Sequence, residues 1–204
     1  MSALPTAQGR SMSDRLAVAV SEVFAPAVLL SLFLVLAALH SAAWPESVLL
    51  AAVAVGFTAA LPLVGVIALV RRGYLVDHHI SDRRQRLPVL AGTLVSIGIG
   101  LALLLRLDAP AAVVGAVVCT VAGVLAVLVV NLWWKLSAHS AVAVFAVVGM
   151  LALFGAWASP LVLVPAAVGW SRVRLLAHTP GQVAAGYAVG ALIGGAFALL
   201  VAAG

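Results

Sequence analysis

Seven apolar runs alternate with short polar breaks along the chain. The runs cover residues 16–40, 46–70, 89–106, 110–131, 140–157, 160–171 and 183–203. A helix of about 20 residues crosses a bilayer core about 30 Å thick, so most of these runs are long enough to span a membrane. The breaks contain charged residues, prolines and glycines, which end helices. We therefore predict an all-α integral membrane protein, a bundle of six or seven transmembrane helices, in which the run 160–171 is the shortest.

The composition agrees with this class, since 65% of the residues are hydrophobic and 8% are charged. Residues 1–15 are polar and are not followed at once by the short apolar run and cleavage site of a secretory signal, so we predict no cleaved signal. The expected organisation is a polar N-terminal segment, 1–15, and one transmembrane domain, 16–204. Cys119 is the single cysteine, which excludes an intrachain disulfide.

Positive charge is concentrated on one predicted face. If all seven runs span, the loops 71–88, 132–139 and 172–182 lie on the same face as the N-terminus, and of the 11 Lys and Arg residues Arg106 alone lies opposite. The positive-inside tendency makes that face cytoplasmic, which predicts a plasma-membrane protein with its polar loops toward the cytoplasm. The basic residues form short clusters between apolar runs, which favours an anionic lipid or phosphorylated ligand over nucleic acid.

These loops collect the side chains that handle phosphate. They contain Arg83, Arg84, Arg86, Lys135, Ser137, His139, Arg172, Arg174 and His178, with Asp77 and Asp82 nearby. Guanidinium and ammonium groups bind phosphate oxygens, and imidazoles attack phosphorus or shuttle protons at neutral pH. The set predicts a phosphoryl-transfer site at one membrane face. The alternative is that arginines at helix ends anchor the helices to lipid head groups.

Three segments resemble the motifs of the type 2 phosphatidic acid phosphatase superfamily, which also contains the vanadium haloperoxidases. The family motifs are K-x6-R-P, P-S-G-H and S-R-x5-H-x3-D, and the corresponding segments here are "HISDRRQRLP", "KLSAH" and "SRVRLLAHTPGQ". The resemblance covers about residues 71–203. The first segment has His79 where the family has lysine, and the second has Leu136 and Ala138 in place of Pro and Gly. The third ends in Gln182 instead of Asp.

The resemblance implies a role for each matching residue. His178 would be the nucleophile and form a phosphohistidine, and His139 would protonate the leaving alcohol and then activate water. Arg172 would bind the phosphoryl oxygens. The remaining phosphate-binding residues would be Ser137, Arg83, Arg86 and Lys135, which replaces the missing lysine. Gln182, Asp77 or Asp82 would orient His178, and no metal or cofactor is expected.

Two further patterns concern the last helix. Thr179, Pro180 and Gln182 fit a capping box with proline at the first helical position, so the helix should begin immediately after His178. Gly186, Gly190 and Gly194 recur every fourth residue, which predicts close packing against another helix. Glu22, inside the first apolar run, is expected to have a polar partner or to reach toward the interface.

The leading functional prediction is a membrane-embedded phosphatase acting on a lipid phosphate or a polyprenyl phosphate or diphosphate. One alternative is a non-catalytic lipid-phosphate binder or carrier of the same fold. Another is an intramembrane prenyltransferase, which the two aspartates of "DHHISD" suggest. Such enzymes hold diphosphate through magnesium with two aspartate-rich motifs. The chain has six acidic residues in all and no second cluster.

Overall fold

The computed structural model describes residues 11–73 and 83–203, and for residues 83–88 and 90 it describes the backbone alone. These residues form helices and no strand, in agreement with the all-α prediction. The α-helices are α1 (Met12–Val23), α2 (Pro26–Ser41), α3 (Glu46–Val55), α4 (Leu61–Arg71), α5 (Arg83–Arg106), α6 (Ala111–Trp133), α7 (Ala138–Phe154), α8 (Leu163–Arg174) and α9 (Pro180–Ala203).

Four continuous helical stretches in the described part are long and apolar enough to cross a membrane: Glu46–Arg71, Ala111–Trp133, Ala138–Arg174 and Pro180–Ala203. The number becomes five if the bent pair α1 and α2 forms one span. The chain is therefore an all-helical membrane protein. Helix length alone does not establish the predicted six or seven crossings.

The first apolar run, predicted as one helix over 16–40, is bent by 43° between α1 and α2. Pro26 begins α2, and proline lacks the N–H that would continue the hydrogen bonds of the preceding helix. The first helical turn is where this loss costs least. The bend therefore lies just before Pro26, where a second helix can start without losing a further hydrogen bond.

The second run is continuous but contains a π-helical segment, Gly56–Ala60, between α3 and α4. The N–H of Leu61 donates to the carbonyl of Gly56, five residues back. In this pattern the carbonyl of Phe57 would pair with residue 62, which is Pro62 and has no N–H. The hydroxyl of Ser96 on α5 donates to that carbonyl at 2.7 Å. Ser96 thus replaces the missing donor, and its bond joins the second run to the third.

Contacts between Cα atoms divide the chain into two compact units. Unit 1 contains the described residues up to Leu29 and Gly123–Ala198; unit 2 contains Leu30–Ala122 and the residues from Leu199 onward. Within unit 1, α8 packs against both α1 and α7. Gly155 has φ +60°, and it opens a short 3₁₀ segment, Gly155–Val162, between α7 and α8. Because α7 and α8 contact each other across this break, Ala138–Arg174 forms a hairpin.

The glycines of α9 pack against α7, which confirms the predicted close approach. A Cβ on Gly186 would lie 2.6 Å from the carbonyl oxygen of Ser137, and one on Gly194 would lie 2.7 Å from Cβ of Val148. A Cβ on Gly190 would overlap the carbonyl oxygen of Ala141. All three glycines are buried. Helix α9 therefore lies against the backbone of α7 and of Ser137, the residue that precedes α7.

Replacing Ser96 by alanine should destabilise the protein by about 1–3 kcal/mol, because the carbonyl of Phe57 loses its donor in a partly buried position. Thermal unfolding of the detergent-solubilised protein measures the change. Thr93→Ala is the matched control on the same helix, since the Thr93 hydroxyl donates to the Val89 carbonyl of its own helix. Equal melting temperatures for both variants would contradict the assigned role of Ser96.

Gly186→Ala and Gly195→Ala should change stability in opposite directions. Alanine normally stabilises a helix by about 0.5–1 kcal/mol relative to glycine. A Cβ on Gly195 meets nothing within 4 Å, so Gly195→Ala should be neutral or stabilising. Gly186→Ala forces α9 away from the Ser137 carbonyl and should cost about 1–3 kcal/mol. Melting temperatures that rise together would show that α9 does not depend on close contact at Gly186.

Candidate active site

Two loops predicted to share a face meet in unit 1. The first, residues 134–137, precedes α7, and the second, residues 175–179, joins α8 to α9. The ammonium group of Lys135 donates to the carbonyl of Ala177 at 2.9 Å. The backbone N–H of Ser137 donates to the carbonyl of Gln182 at 3.3 Å. Lys135 and Ala177 are 42 residues apart in sequence, so these contacts bring the second and third motif-like segments together in space.

Asn131 at the end of α6 fixes the first loop. Its side-chain amide donates to the Val127 carbonyl at 2.8 Å, and its side-chain oxygen accepts from the N–H of Leu136 at 2.9 Å. Leu136 is 3% exposed, so it anchors the loop in the protein interior. Nothing in the apolar pattern marked Asn131 as more than the last polar residue of a run. A single polar residue directly before a loop was the available signal.

Ser137 is the N-cap of α7. Its side-chain oxygen accepts from the N–H of Ser140 at 3.4 Å and from the Ser140 hydroxyl at 2.9 Å. These bonds give Ser137 a capping role. Its side chain is fully buried, and its predicted contact with phosphate stays a prediction. His139 is the second residue of α7 and is half-buried. The cap thus fixes the start of α7 and with it the position of His139 in the first turn.

The second loop reverses direction through a Schellman turn. After α8 ends, the N–H of Leu176 donates to the Val173 carbonyl at 3.0 Å, and the N–H of Ala177 donates to the Arg172 carbonyl at 3.1 Å. The N–H of His178 also donates to the Arg172 carbonyl, at 3.2 Å. Leu176 has φ +52°, a conformation in which glycine is usual. The turn places His178 beside the last turn of α8, which carries Arg172.

The predicted capping box at the start of α9 is confirmed. The N–H of Thr179 donates to the side-chain oxygen of Gln182 at 3.1 Å, and the N–H of Gln182 donates to the Thr179 hydroxyl at 3.3 Å. Gln182 lies near the imidazole of His178. However, His178 Nδ1 is buried and has no hydrogen-bond partner among the described residues. Gln182 therefore serves the helix start, and its predicted role in orienting His178 stays a prediction.

Burial and two cations keep His178 neutral. Burial of the imidazole lowers the pKa of His178 below its usual 6.5, and the charges of Lys135 and Arg172 lower it further. The side chain of Gln182 has a smaller, opposite effect on this pKa. Since the neutral form is present above the pKa, the imidazole is deprotonated at pH 7. A neutral imidazole can act as a nucleophile or a base.

Arg172 is held by a helix that the motifs do not include. Its Nη1 donates to the hydroxyl of Ser21 on α1 at 2.7 Å, and its charge interacts with the carboxylate of Glu22. Nε of Arg172 is buried and has no partner among the described residues. Glu22 is exposed and forms no ion pair with Arg172 in the part of the chain described, so its predicted polar partner stays a prediction. Sequence reasoning missed Ser21, because serine in an apolar run carries no distinguishing pattern.

Arg174, the second arginine of the segment, is directed elsewhere. Its Nε lies 2.9 Å from the carboxylate of Asp14, and its Nη2 donates to the Ser13 hydroxyl at 3.0 Å. Asp14 also completes a capping box with Ser11 at the start of α1. Arg174 therefore joins α8 to the beginning of α1.

The structure describes the backbone alone for Arg83 and Arg86, and it does not describe Asp77 and Asp82. Arg83 and Arg86 lie in the first turn of α5, one helical turn apart as expected, and belong to unit 2. Their side chains lie outside the described part, and so do Asp77 and Asp82 entirely. Over the residues that were described, no group of three or more metal-ligating side chains is found. Comparison of the chain with protein-family models, curated proteins and solved structures finds no match.

Replacing Lys135 by methionine should raise the pKa of His178 toward 6.5, because one of the two nearby positive charges is removed. NMR titration of the His178 imidazole in the detergent-solubilised protein measures the pKa directly. Arg174→Met is the matched control, since Arg174 is paired with Asp14 and is not among the charges that act on His178. An unchanged pKa in Lys135→Met would show that Lys135 does not act on the imidazole.

Proposed function

We propose that the protein is a membrane-embedded phosphatase that hydrolyses a lipid phosphate, or a polyprenyl phosphate or diphosphate, through a phosphohistidine at His178. One observation carries the proposal. Lys135 and Arg172 both act on a His178 that burial and charge keep neutral, and both Nε of Arg172 and Nδ1 of His178 are buried without a partner in the described structure. A buried guanidinium N–H and a buried imidazole nitrogen, with the ammonium group of Lys135 acting on the same imidazole, are what an anionic ligand would satisfy.

The proposed reaction consists of two displacements at phosphorus. In the first, an imidazole nitrogen of His178 forms a bond to phosphorus while the bond to the lipid oxygen breaks, and His139 gives that oxygen a proton. In the second, His139 takes a proton from water, the water oxygen bonds to phosphorus, and the bond to His178 breaks. The products are inorganic phosphate and the lipid alcohol, or the lipid monophosphate where the substrate is a diphosphate, and both histidines return to their initial states.

Arg172 and Lys135 would stabilise negative charge on the phosphoryl oxygens during both steps. The helix starts at α7 and α9 would add backbone N–H groups and the favourable end of their dipoles. Arg83 and Arg86 stay phosphate-binding residues in this proposal, as the resemblance to the phosphatase motifs implies. Asp77 or Asp82 would supply the negative charge that Gln182 lacks. Phosphate binding by Ser137 would use its own O–H, because its oxygen already accepts from the start of α7.

We also propose that six or seven helices cross the plasma membrane, with the site toward the cytoplasm. The hairpin of α7 and α8 supports this arrangement, since it returns the chain to the end from which it started. The excess of Lys and Arg on the three loops supports the orientation. The lipid would keep its hydrocarbon chain in the bilayer while its phosphate reaches these loops.

Two other functions predict different measurements. A lipid-phosphate binder or carrier would bind the same ligands without releasing phosphate. Gln182 favours this alternative, because it stands in the capping box where the family has a carboxylate. An intramembrane prenyltransferase would require magnesium. Release of inorganic phosphate in the presence of EDTA therefore identifies the phosphatase, and magnesium-dependent release of diphosphate identifies the prenyltransferase.

Purified protein should release phosphate from at least one lipid of a panel in EDTA. The panel contains phosphatidic acid, phosphatidylglycerol phosphate and polyprenyl phosphates. His178→Ala should abolish release while retaining binding, and Arg172→Lys should lose most activity because an ammonium group cannot present a two-pronged fork. Arg174→Lys is the matched control and should stay active. Full hydrolysis by His178→Ala would overturn the assignment of the nucleophile.

A further inference from the structure

We infer that α1 is part of the phosphate site, with Ser21 orienting the guanidinium of Arg172 and Glu22 balancing its charge. Ser21 and Glu22 would be positioning residues, since they act through Arg172. The inference rests on the proposed function, in which Arg172 binds the phosphoryl group. It assigns a role to a helix that lies outside the segments resembling phosphatase motifs.

The contact between Ser21 and Arg172 is specific and buried. Ser21 is 5% exposed, and its hydroxyl accepts from Nη1 of Arg172 at 2.7 Å, 151 positions away in sequence. A guanidinium is planar, so fixing Nη1 also fixes the direction of the edge that carries Nε and Nη2. Arg172 makes no other hydrogen bond within the described ranges, and its Nε is buried. The edge suited to two phosphate oxygens is therefore oriented and unused.

Glu22 acts on Arg172 without neutralising it by direct contact. Its carboxylate influences the guanidinium through space, and the two groups form no ion pair within 4.0 Å in the part of the chain described. A carboxylate that acts through space stabilises the cation when the site is empty and weakens the attraction of Arg172 for an anion. Ser21 and Glu22 therefore have opposite expected effects on phosphate binding.

Helix α1 does not depend on Ser21 alone for its position. About two turns earlier, Asp14 pairs with Arg174 at 2.9 Å, and Ser13 accepts from Nη2 of the same arginine. Loss of the Ser21 hydroxyl should therefore release the guanidinium while leaving α1 packed on α8. Ser13→Ala provides a matched control, since it removes a serine hydroxyl from α1 that contacts Arg174 instead.

The experiment measures binding of radiolabelled inorganic phosphate to the full-length protein in detergent, by equilibrium dialysis. Ser21→Ala should weaken binding about tenfold, the size expected for a lost hydrogen bond to a charged group, and Ser21→Thr should restore it. Glu22→Gln should strengthen binding about three- to tenfold. Ser13→Ala should bind as wild type does. In an Arg172→Ala background, Ser21→Ala should have no further effect.

Several outcomes would overturn the inference. Ser21→Ala could bind phosphate as tightly as wild type, or Ser21→Ala and Glu22→Gln could weaken binding alike, as expected if α1 serves only packing. Additive losses in the double variant Ser21→Ala/Arg172→Ala would have the same meaning, and so would a wild type that binds no phosphate. A wild type that binds phosphate but hydrolyses no lipid would overturn the phosphatase alone, and the binding series would still test α1.

Discussion

The close approach of α9 to the start of α7 is the contact on which the site depends. Gly186 has no side chain, so α9 lies against the Ser137 carbonyl, and the N–H of Ser137 reaches the carbonyl of Gln182. This contact brings the loop before α7 to the loop before α9. Lys135 can then reach the Ala177 carbonyl beside His178. A larger residue at position 186 would separate the two loops and remove the electrostatic environment of the imidazole.

That environment places positive charge where a neutral histidine is required. A histidine beside two cations resists protonation, and partial burial adds to the resistance. The same cations attract an anionic group to the imidazole that they keep neutral. Glu22 moderates this charge at Arg172. The site therefore combines positive charge with an imidazole that is neutral at neutral pH.

Much of this arrangement follows from local sequence patterns. Thr179 and Gln182 are a capping box whose spacing defines a helix start, and a stripe of glycines has few meanings in an apolar helix. The adjacency of the loops follows from the alternation of apolar runs and breaks. These features are local, or repeat with a helical period, which is why the sequence alone predicts them.

The features that sequence did not predict depend on tertiary contact or on exceptions to a residue preference. Leu176 occupies a left-handed position that normally belongs to glycine, so the turn that places His178 has no recognisable signal. Ser21 and Ser96 each complete a hydrogen bond to a distant element, and serine alone does not indicate its partner. The apolar pattern of the first and fifth runs did not show that Pro26 and Gly155 would bend the chain.

The proposed mechanism requires that His178 carries the phosphoryl group during turnover, as a phosphohistidine that can be detected. Its most direct measurement is acid quenching of the protein during hydrolysis of a ³²P-labelled lipid phosphate, followed by mapping of the label under alkaline conditions, where phosphohistidine survives. We expect the label on the peptide that contains His178, and no label in His178→Ala. Rapid lipid-phosphate hydrolysis without label at His178, or with label on another residue, would contradict it.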